Sequence, residues 1–230
     1  MRRFYKIAGF SETEDGYAVT LDGRPVRTPA GGRLVLPNYH LAQAVSAEWE
    51  AQGEAILPAS MPLMQLTSTA LDRISPNRAE IIRQLVEYAA TDLLCYRAGE
   101  RRLADRQELM WQPLLDWAKA EFGAVLVITF GLMPVEQPAE GLESLRRRIE
   151  DYDLWRLTAL QSAVAVMGSL VLGMALVEGR LSAEEAFVLS QLDELVQNEE
   201  WGEDWEAVER RDRLRADLLA AERFLATATV

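Results

Sequence analysis

The strongest constraint on the fold of this chain is an uncharged stretch of twenty-one residues at positions 157–177, LTALQSAVAVMGSLVLGMALV. A helix of that length could cross a bilayer, because each residue adds about 1.5 Å. Polar and small residues interrupt the stretch, and neither an aromatic nor a basic belt brackets it. A helix that is apolar on all sides is otherwise the centre of a protein core. We therefore predict the central buried helix of a helical bundle, with a peripheral membrane protein exposing this stretch as the alternative.

The rest of the chain after Pro62 also has the apolar spacing of helices. Leu63, Leu66, Ala70 and Ile74 share one helical face. Residues 104–122 form another amphipathic pattern, in which a proline at position 113 predicts a kink or a junction.

Two further features mark the helical part. Ser182 and Glu185 form a capping box that predicts a helix reaching about Gln197, and residues 204–226 supply the last helix. The segment AVLVITFGLMPV is the one strand-like run outside the N-terminal region.

The N-terminal region has a different pattern. Short strands are predicted between the turn pairs Asp15-Gly16, Asp22-Gly23 and Gly31-Gly32. A helix follows, with Asn38 as its cap and Trp49 on its apolar stripe. The predicted fold class is therefore α+β: a small β-rich N-terminal domain with one helix, residues 1–70, followed by a larger all-α helical C-terminal domain, residues 71–230.

Charge and cysteine content exclude several classes of function. The formal net charge is −12, and residues 182–230 hold thirteen acids against five arginines. Nucleic acids and acidic membrane surfaces are poor partners for such a chain, because they require clustered basic residues. The single cysteine, Cys95, excludes an intrachain disulfide, and no signal-like apolar run follows Met1. We expect a cytoplasmic monomer that does not insert into a membrane.

Residues able to carry catalysis are scarce. His40 is the only histidine, so a site built from several histidines is excluded, and no glycine-rich phosphate loop is present. We predict no catalytic residue, no metal and no cofactor. The alternative is a small-molecule enzyme that uses clustered carboxylates, such as Asp193 with Glu194 or Glu199 with Glu200.

Large apolar and aromatic side chains predict a binding surface instead. Interfaces favour tryptophan, methionine and arginine, because these side chains bury large areas and adapt to varied neighbours. The candidates are Trp49, Met61, Met64, Trp201 and Trp205. Each could also be an ordinary core residue, and the sequence leaves both interpretations open.

Eight stretches, in this order, resemble one known family over nearly the whole chain. They are RFYK, LDGRPVRTP, EWEAQ, MPLMQLTSTALD, TDLLCYR, WQPLLDW, LVLGMALVEGRLSAEEA and LDELVQNEEWG. The family is the assembly chaperone family for the alpha subunit of the catalytic sector of ATP synthase.

The resemblance implies a protein that binds the unassembled alpha subunit, shields its apolar interface and hands it on to beta without using ATP. It also implies a bacterial homologue of the mitochondrial factor. Family positions important for activity fall on Trp49 in EWEAQ and Asp193 in LDELVQ. With their neighbours, the expected partner-binding residues are Trp49, Gln52, Asp193, Glu194, Gln197 and Trp201.

Overall fold

The computed structural model describes residues 1–131, 133–201 and 205–229, without the side chains of Glu200 and Trp201. A small strand region at the N-terminus is followed by helices. The predicted α+β class, with a helical C-terminal part, is confirmed.

The N-terminal sheet is built around a central antiparallel strand. The described strands are β1 Ala8–Thr13, β2 Gly16–Leu21, β3 Arg24–Pro25, β4 Val35–Leu36, β5 Tyr96–Arg97 and β6 Thr129–Phe130. Strand β2 pairs with β1 in a register that places Ala8 opposite Leu21, and it also pairs with β3 and β4. Among its described residues, the strand-like run in the helical part contributes the two residues of β6, which pair in parallel with β5.

Helices make up most of the described residues. They are α1 Tyr39–Glu50, α2 Pro62–Thr69, α3 Arg78–Ala90, α4 Arg101–Phe122, α5 Ala139–Glu150, α6 Leu154–Met167, α7 Leu170–Val177, α8 Ala183–Ser190, α9 Leu192–Trp201 and α10 Trp205–Ala228. Pro113 lies inside α4, which continues as one helix from Arg101 to Phe122. A π-helical segment, Ala70–Ile74, and a 3-10 turn, Ser75–Asn77, link α2 to α3.

Local capping signals were reliable guides to where helices begin. The side chain of Asn38 accepts a hydrogen bond from the backbone N–H of Leu41 at 2.9 Å, which confirms the predicted cap of α1. The capping box between Ser182 and Glu185 is present at the start of α8. The helix predicted from Ser182 to about Gln197 is wrong in its length, because α8 ends at Ser190 and α9 begins at Leu192.

Most of the uncharged stretch 157–177 is buried, although Ala165 is exposed, and the stretch is not one helix. Helix α6 ends at Met167, Gly168 takes a positive φ of 67°, and Ser169 caps α7. All residues of α7 are buried. In the part of the chain that the structure describes, no helix is both long and apolar enough to cross a membrane.

The chain forms two compact units. The first contains Met1–Arg78, Leu154–Ala159 and Ala220–Val230, and the second contains Ala79–Asp153 and Leu160–Leu219. The first unit holds the N-terminal sheet, α1 and α2. The second has a core centred on fully buried residues such as Trp111. The division into an N-terminal domain, residues 1–70, and a C-terminal domain, residues 71–230, stays a prediction.

Candidate functional site

Glu48 connects α1 and α2, both of which belong to the first unit. Glu48 lies on α1, and its side chain is buried. Its Oε1 accepts a hydrogen bond from the backbone N–H of Leu63 at 2.9 Å, and its Oε2 accepts one from the backbone N–H of Met64 at 2.8 Å. These N–H groups belong to the first turn of α2 and have no partner within that helix. Burial raises the pKa of Glu48, and the two N–H groups and Arg223 oppose that shift. Glu48, which belongs to α1, therefore caps the N-terminus of α2.

Sequence reasoning missed Glu48, although the sequence contains a signal for it. Helix α2 starts at Pro62, and the residue at its N-cap position is Met61, which has no side-chain acceptor. A helix start without a local cap needs an acceptor from elsewhere.

Gln52 holds the loop that follows α1. Its Nε2 donates to the backbone oxygen of Glu48 and to Oγ of Ser60, both at 3.0 Å, and its Oε1 accepts from the N–H of Leu57 at 2.7 Å. The side chain is buried. Gln52 thus fixes the shape of the segment between α1 and α2.

Trp49 lies between these two polar residues in sequence and faces the interior. Its side chain is 9% exposed, and its ring meets the ring of Tyr5 edge-on at a centroid distance of 5.7 Å. The hydroxyl of Tyr5 donates to the backbone oxygen of Trp49 at 2.5 Å. The indole Nε1 is buried and has no hydrogen-bond acceptor among the described residues. A buried donor without an acceptor is rare and costs free energy.

Trp49 also lines a cavity of about 1000 Å³ within the first unit. The lining consists of Met1, Phe4, Tyr5, Leu21, Asp22, Arg24, Pro25, Val26, Arg27, Thr28, Pro29, Trp49, Ile56, Pro58, Met61, Met64, Gln65, Ser68 and Thr69. Apolar side chains dominate it. Met1 and Phe4 of this lining are strongly exposed, so part of the apolar lining is open to solvent.

The charged residues of this lining are Asp22, Arg24 and Arg27. The carboxylate of Asp22 accepts hydrogen bonds from the backbone N–H groups of Ile7, at 2.9 Å, and Lys6, at 3.1 Å. These bonds lower the pKa of Asp22. Asp22 is therefore an ionised, structural carboxylate, poorly suited to the acid and base work that the enzyme alternative requires.

The large side chains predicted to form a binding surface have different exposures. Met61 and Met64, like Trp49, are buried and contribute to the cavity wall, whereas Trp205 is 71% exposed. The side chain of Trp201 lies outside the described residues. The buried side chains of Trp49, Met61 and Met64 and the exposed side chains of Met1 and Phe4 together form the apolar region of the first unit.

Asp193 lies in the second unit, half-buried on α9. Its Oδ1 accepts a hydrogen bond from Nε2 of Gln107 at 2.8 Å. Gln107 is fully buried, and its Oε1 accepts from the N–H of Ala98 at 2.7 Å. Its backbone oxygen accepts a bond from the guanidinium of Arg97 at 3.0 Å. Gln107 therefore fixes the orientation of the Asp193 carboxylate.

Arg97 is a buried cation beside this carboxylate. It is 2% exposed, and its guanidinium lies 5.2 Å from the ring centroid of Trp111. Burial lowers the pKa of Arg97, whereas Glu108, Cys95 and Asp193 oppose that shift.

The other acidic and polar candidates surround Asp193 on α9. Glu194 pairs with Arg210, and its Oε2 is buried without a hydrogen-bond partner among the described residues. Gln197 is exposed. Glu199 pairs with Arg106 at 2.9 Å and with Arg102 at 3.3 Å. Asp193 and Glu194 thus have different partners, and neither belongs to the lining of the cavity.

The residues considered for chemistry have surroundings that suit structural roles. Cys95 is fully buried, and burial raises its pKa to about 12, so its thiol stays protonated at neutral pH. His40 is exposed beside the ring of Tyr39. Within the described residues, no group of three or more acidic, histidine or cysteine side chains could hold a metal ion.

Comparisons with known proteins agree over most of the chain. A family model described as ATP12 chaperone protein matches residues 2–119. The crystal structure of Atp12 from Paracoccus denitrificans is 40% identical in sequence, with a TM-score of 0.93, and the match covers 99% of this chain and 98% of that one. The crystal structure of Atu1473 protein, a putative chaperone from Agrobacterium tumefaciens, is 38% identical, with a TM-score of 0.94 and coverage of 98% and 85%.

Two mitochondrial proteins are more distant relatives. Protein atp12, mitochondrial, of Schizosaccharomyces pombe is 24% identical over 226 residues, which cover 92% of this chain and 78% of that protein. Protein ATP12, mitochondrial, of Saccharomyces cerevisiae is also 24% identical, with coverage of 90% and 78%.

Proposed function

The chain belongs to the ATP12 chaperone family, and from this premise we propose that it is an assembly chaperone of ATP synthase that binds the unassembled alpha subunit of the catalytic sector. It shields the apolar interface of that subunit in the cytoplasm and hands it on to beta. It acts as a monomer and without catalysis.

The apolar cavity of the first unit is the observation that carries this proposal. A free subunit exposes apolar surface that its neighbours later cover, and such a patch in isolation promotes aggregation. A chaperone that covers it needs accessible apolar surface of its own. The cavity around Trp49, with the exposed side chains of Met1 and Phe4, supplies such a surface.

The acidic helix α9 provides the second element of the proposal. Asp193 is oriented by Gln107, and Gln197 is exposed on the same helix. A fixed carboxylate orients a basic or hydrogen-bond-donating partner, whereas apolar contacts supply most of the affinity. We assign α9, with Asp193, Glu194, Gln197 and Trp201, the orienting role.

The enzyme alternative has weaker support. A cavity of about 1000 Å³ lies at the upper end of the range for small-molecule sites. An enzyme that uses clustered carboxylates would need acids with raised pKa values facing that cavity. Asp22, which belongs to the lining, has a lowered pKa instead.

Co-expression with the alpha subunit tests the proposal. We expect alpha to become soluble and to co-elute with this protein in size-exclusion chromatography, whereas assembled alpha–beta hexamers should not bind. The proposal is wrong if alpha remains insoluble and no complex forms.

A substitution on α9 tests the role of Asp193. Asp193→Asn removes the charge but keeps an acceptor for Gln107, so we expect an unchanged fold and about tenfold weaker binding of alpha. Glu199→Gln, which changes an exposed acid on the same helix, is the matched control and should bind as the wild type does. Equal binding by all three proteins would remove Asp193 from the site.

A further inference from the structure

The charged side chains of the cavity lining are two hydrogen-bond donors, Arg24 and Arg27, and one acceptor, Asp22. Arg27 donates to the backbone oxygen of Gly31 at 2.8 Å, which leaves most of its N–H groups available. The carboxylate of Asp22, in contrast, is already engaged by the N–H groups of Lys6 and Ile7. An occupant that offers acceptors would complement this lining.

The positive charge of Arg24 and Arg27, the exposed residues that form the rim of the cavity, supports the same kind of occupant. The chain as a whole carries a net charge of −12, but the cavity has two exposed arginines, Arg24 and Arg27. Neither forms a salt bridge with a carboxylate among the described residues. Arg33, which is outside the lining, pairs with Asp15 at 3.2 Å. Arg24 interacts electrostatically with Asp22 of the same lining, so the two arginines and one acid leave a net positive charge beside the apolar surface.

The backbone of the rim makes simple strand addition a poor way to bind. β3 lies at the end of the strand order, where an extended segment could pair with it. Pro25 in β3 and Pro29 beyond it lack N–H groups and so cannot donate to an added strand. Side chains, rather than a continuous backbone ladder, must then provide the contacts.

From these observations, and resting on the proposed function, we propose that the cavity binds an extended segment of the client in which an acidic residue lies between large apolar side chains. The apolar side chains fill the cavity against Met61 and Met64. The carboxylate is held at the rim by Arg24 and Arg27.

The extent of the apolar surface favours a polypeptide over a small amphipathic anion. Small-molecule sites enclose most of the surface of their ligand. Here the apolar surface continues onto Phe4, which is 65% exposed, and Met1, which is 76% exposed. A segment of a larger chain would cover this outer surface, whereas a single acyl tail inside the cavity would leave it bare.

The first experiment measures binding of the alpha subunit by rim variants of the full-length protein. We expect Arg24→Glu/Arg27→Glu to bind alpha at least about tenfold more weakly than the wild type, because attraction becomes repulsion at the rim. Arg33→Glu is the control, since it reverses the charge of one exposed arginine outside the cavity. It should bind within about twofold of the wild type. Circular dichroism checks that both variants fold.

The second experiment identifies the chemistry of the segment. Overlapping peptides that cover the alpha subunit are tested by fluorescence anisotropy with the wild-type protein. We expect the peptides that bind to contain an acidic residue between large apolar residues. Replacing that acid by lysine should abolish binding to the wild type and restore it to the Arg24→Glu/Arg27→Glu variant.

The outcomes separate this inference from the proposed function. If the wild type fails to bind alpha, both fall. If the wild type and the double variant bind alpha equally, the inference alone is overturned. It is also overturned if native mass spectrometry finds a fatty acid in the wild type that the double variant lacks, while both bind alpha alike.

Discussion

Asp92 connects two distant parts of the second unit through one buried carboxylate. Its Oδ1 accepts from Oγ of Ser169 at 2.7 Å and from the N–H of Leu94 at 3.0 Å, and its Oδ2 accepts from the N–H of Val171 at 3.1 Å. Burial raises its pKa from the ordinary value of 3.8 to about 6, although these donors oppose the shift. Between about pH 4 and pH 6, Asp92 is therefore protonated in the folded protein and ionised in the unfolded chain.

This shift predicts how stability depends on pH. The folded state binds more protons than the unfolded state between about pH 4 and pH 6, so the contribution of Asp92 to stability falls as pH rises through that window. Relative to Asp92→Asn, which cannot ionise, the wild type should lose about 2 to 3 kcal/mol of unfolding free energy from about pH 4 to about pH 7. Urea unfolding of both proteins across this range measures the difference. A pH-independent difference would contradict the raised pKa.

Trp49 calls for two substitutions, because its ring and its N–H group make separable contributions. Trp49→Phe keeps an aromatic ring against Tyr5 and removes a donor that has no acceptor among the described residues, so stability should change by about 1 kcal/mol or less. Trp49→Arg buries a charge and should destabilise the fold by about 3 to 5 kcal/mol. Thermal unfolding measures both effects. Weaker alpha binding by a stably folded Trp49→Phe would assign the indole of Trp49 to the contact, and unchanged binding would exclude its N–H group.

The break between α6 and α7 depends on one backbone conformation and one cap. Gly168 has a φ of 67°, and the side chain of Ser169 accepts a bond from the N–H of Leu172 at 3.0 Å. Apart from its chain neighbours, a Cβ at position 168 would meet no atom within 4 Å, so only the backbone conformation opposes an alanine there. The conformation at Gly168 thus sets where α7 begins.

We expect Gly168→Ala to lower the free energy of unfolding by about 1 to 2 kcal/mol, because a residue with a Cβ is strained in the left-handed region. Gly99→Ala is the matched control, since position 99 is equally open and does not have a positive φ. Urea unfolding compares both variants with the wild type. Equal stability of the two variants would show that the backbone at Gly168 is not under this constraint.

The elements that the sequence predicted well are those whose signals are local. Asn38 caps α1 through a residue three positions away, and the same spacing holds for Ser182 and Glu185 at α8. Two acids that it did not single out act at helix starts far from them in sequence. Glu48 caps α2 over 15 residues, and Asp92 reaches the start of α7 over 77 residues. Apolar periodicity carries no information on contacts between residues that are distant in sequence. For this reason the stretch 157–177 is predicted as one helix, although Gly168 and Ser169 divide it.

In the candidate site, as in the helices, the sequence predicted what depends on local signals and missed what depends on contacts between distant residues. The large apolar and aromatic side chains indicated a binding function around Trp49, but the burial of Trp49 could not be inferred from the apolar stripe alone. Nor did the sequence reveal the cavity, because its lining brings together residues from 1 to 69 that lie on a sheet, two helices and loops. The orientation of Asp193 by Gln107 likewise joins residues 86 positions apart. Tertiary packing decides all three.

The first unit is completed by the end of the chain. Phe224 on α10 is fully buried and lies 6.0 Å from the ring of Trp155. The side-chain amide of Asn38 donates to the backbone oxygen of Ala228 at 2.9 Å. The residue that caps α1 is therefore itself held by the last turn of α10, and residues 1–78 do not account for the whole of this unit.

Deletion of residues 220–230 should consequently destabilise the first unit, although the deleted segment is far away in sequence. Loss of the buried Phe224 side chain alone costs about 3 to 5 kcal/mol in comparable cores. We expect faster amide hydrogen exchange in β2 and α1, measured by mass spectrometry, and weaker binding of alpha. A control that lacks only residues 229–230 keeps Phe224 and Ala228 and should exchange like the wild type. Wild-type protection of β2 and α1 in the longer deletion would instead show that the N-terminal domain, residues 1–70, folds without the chain's end.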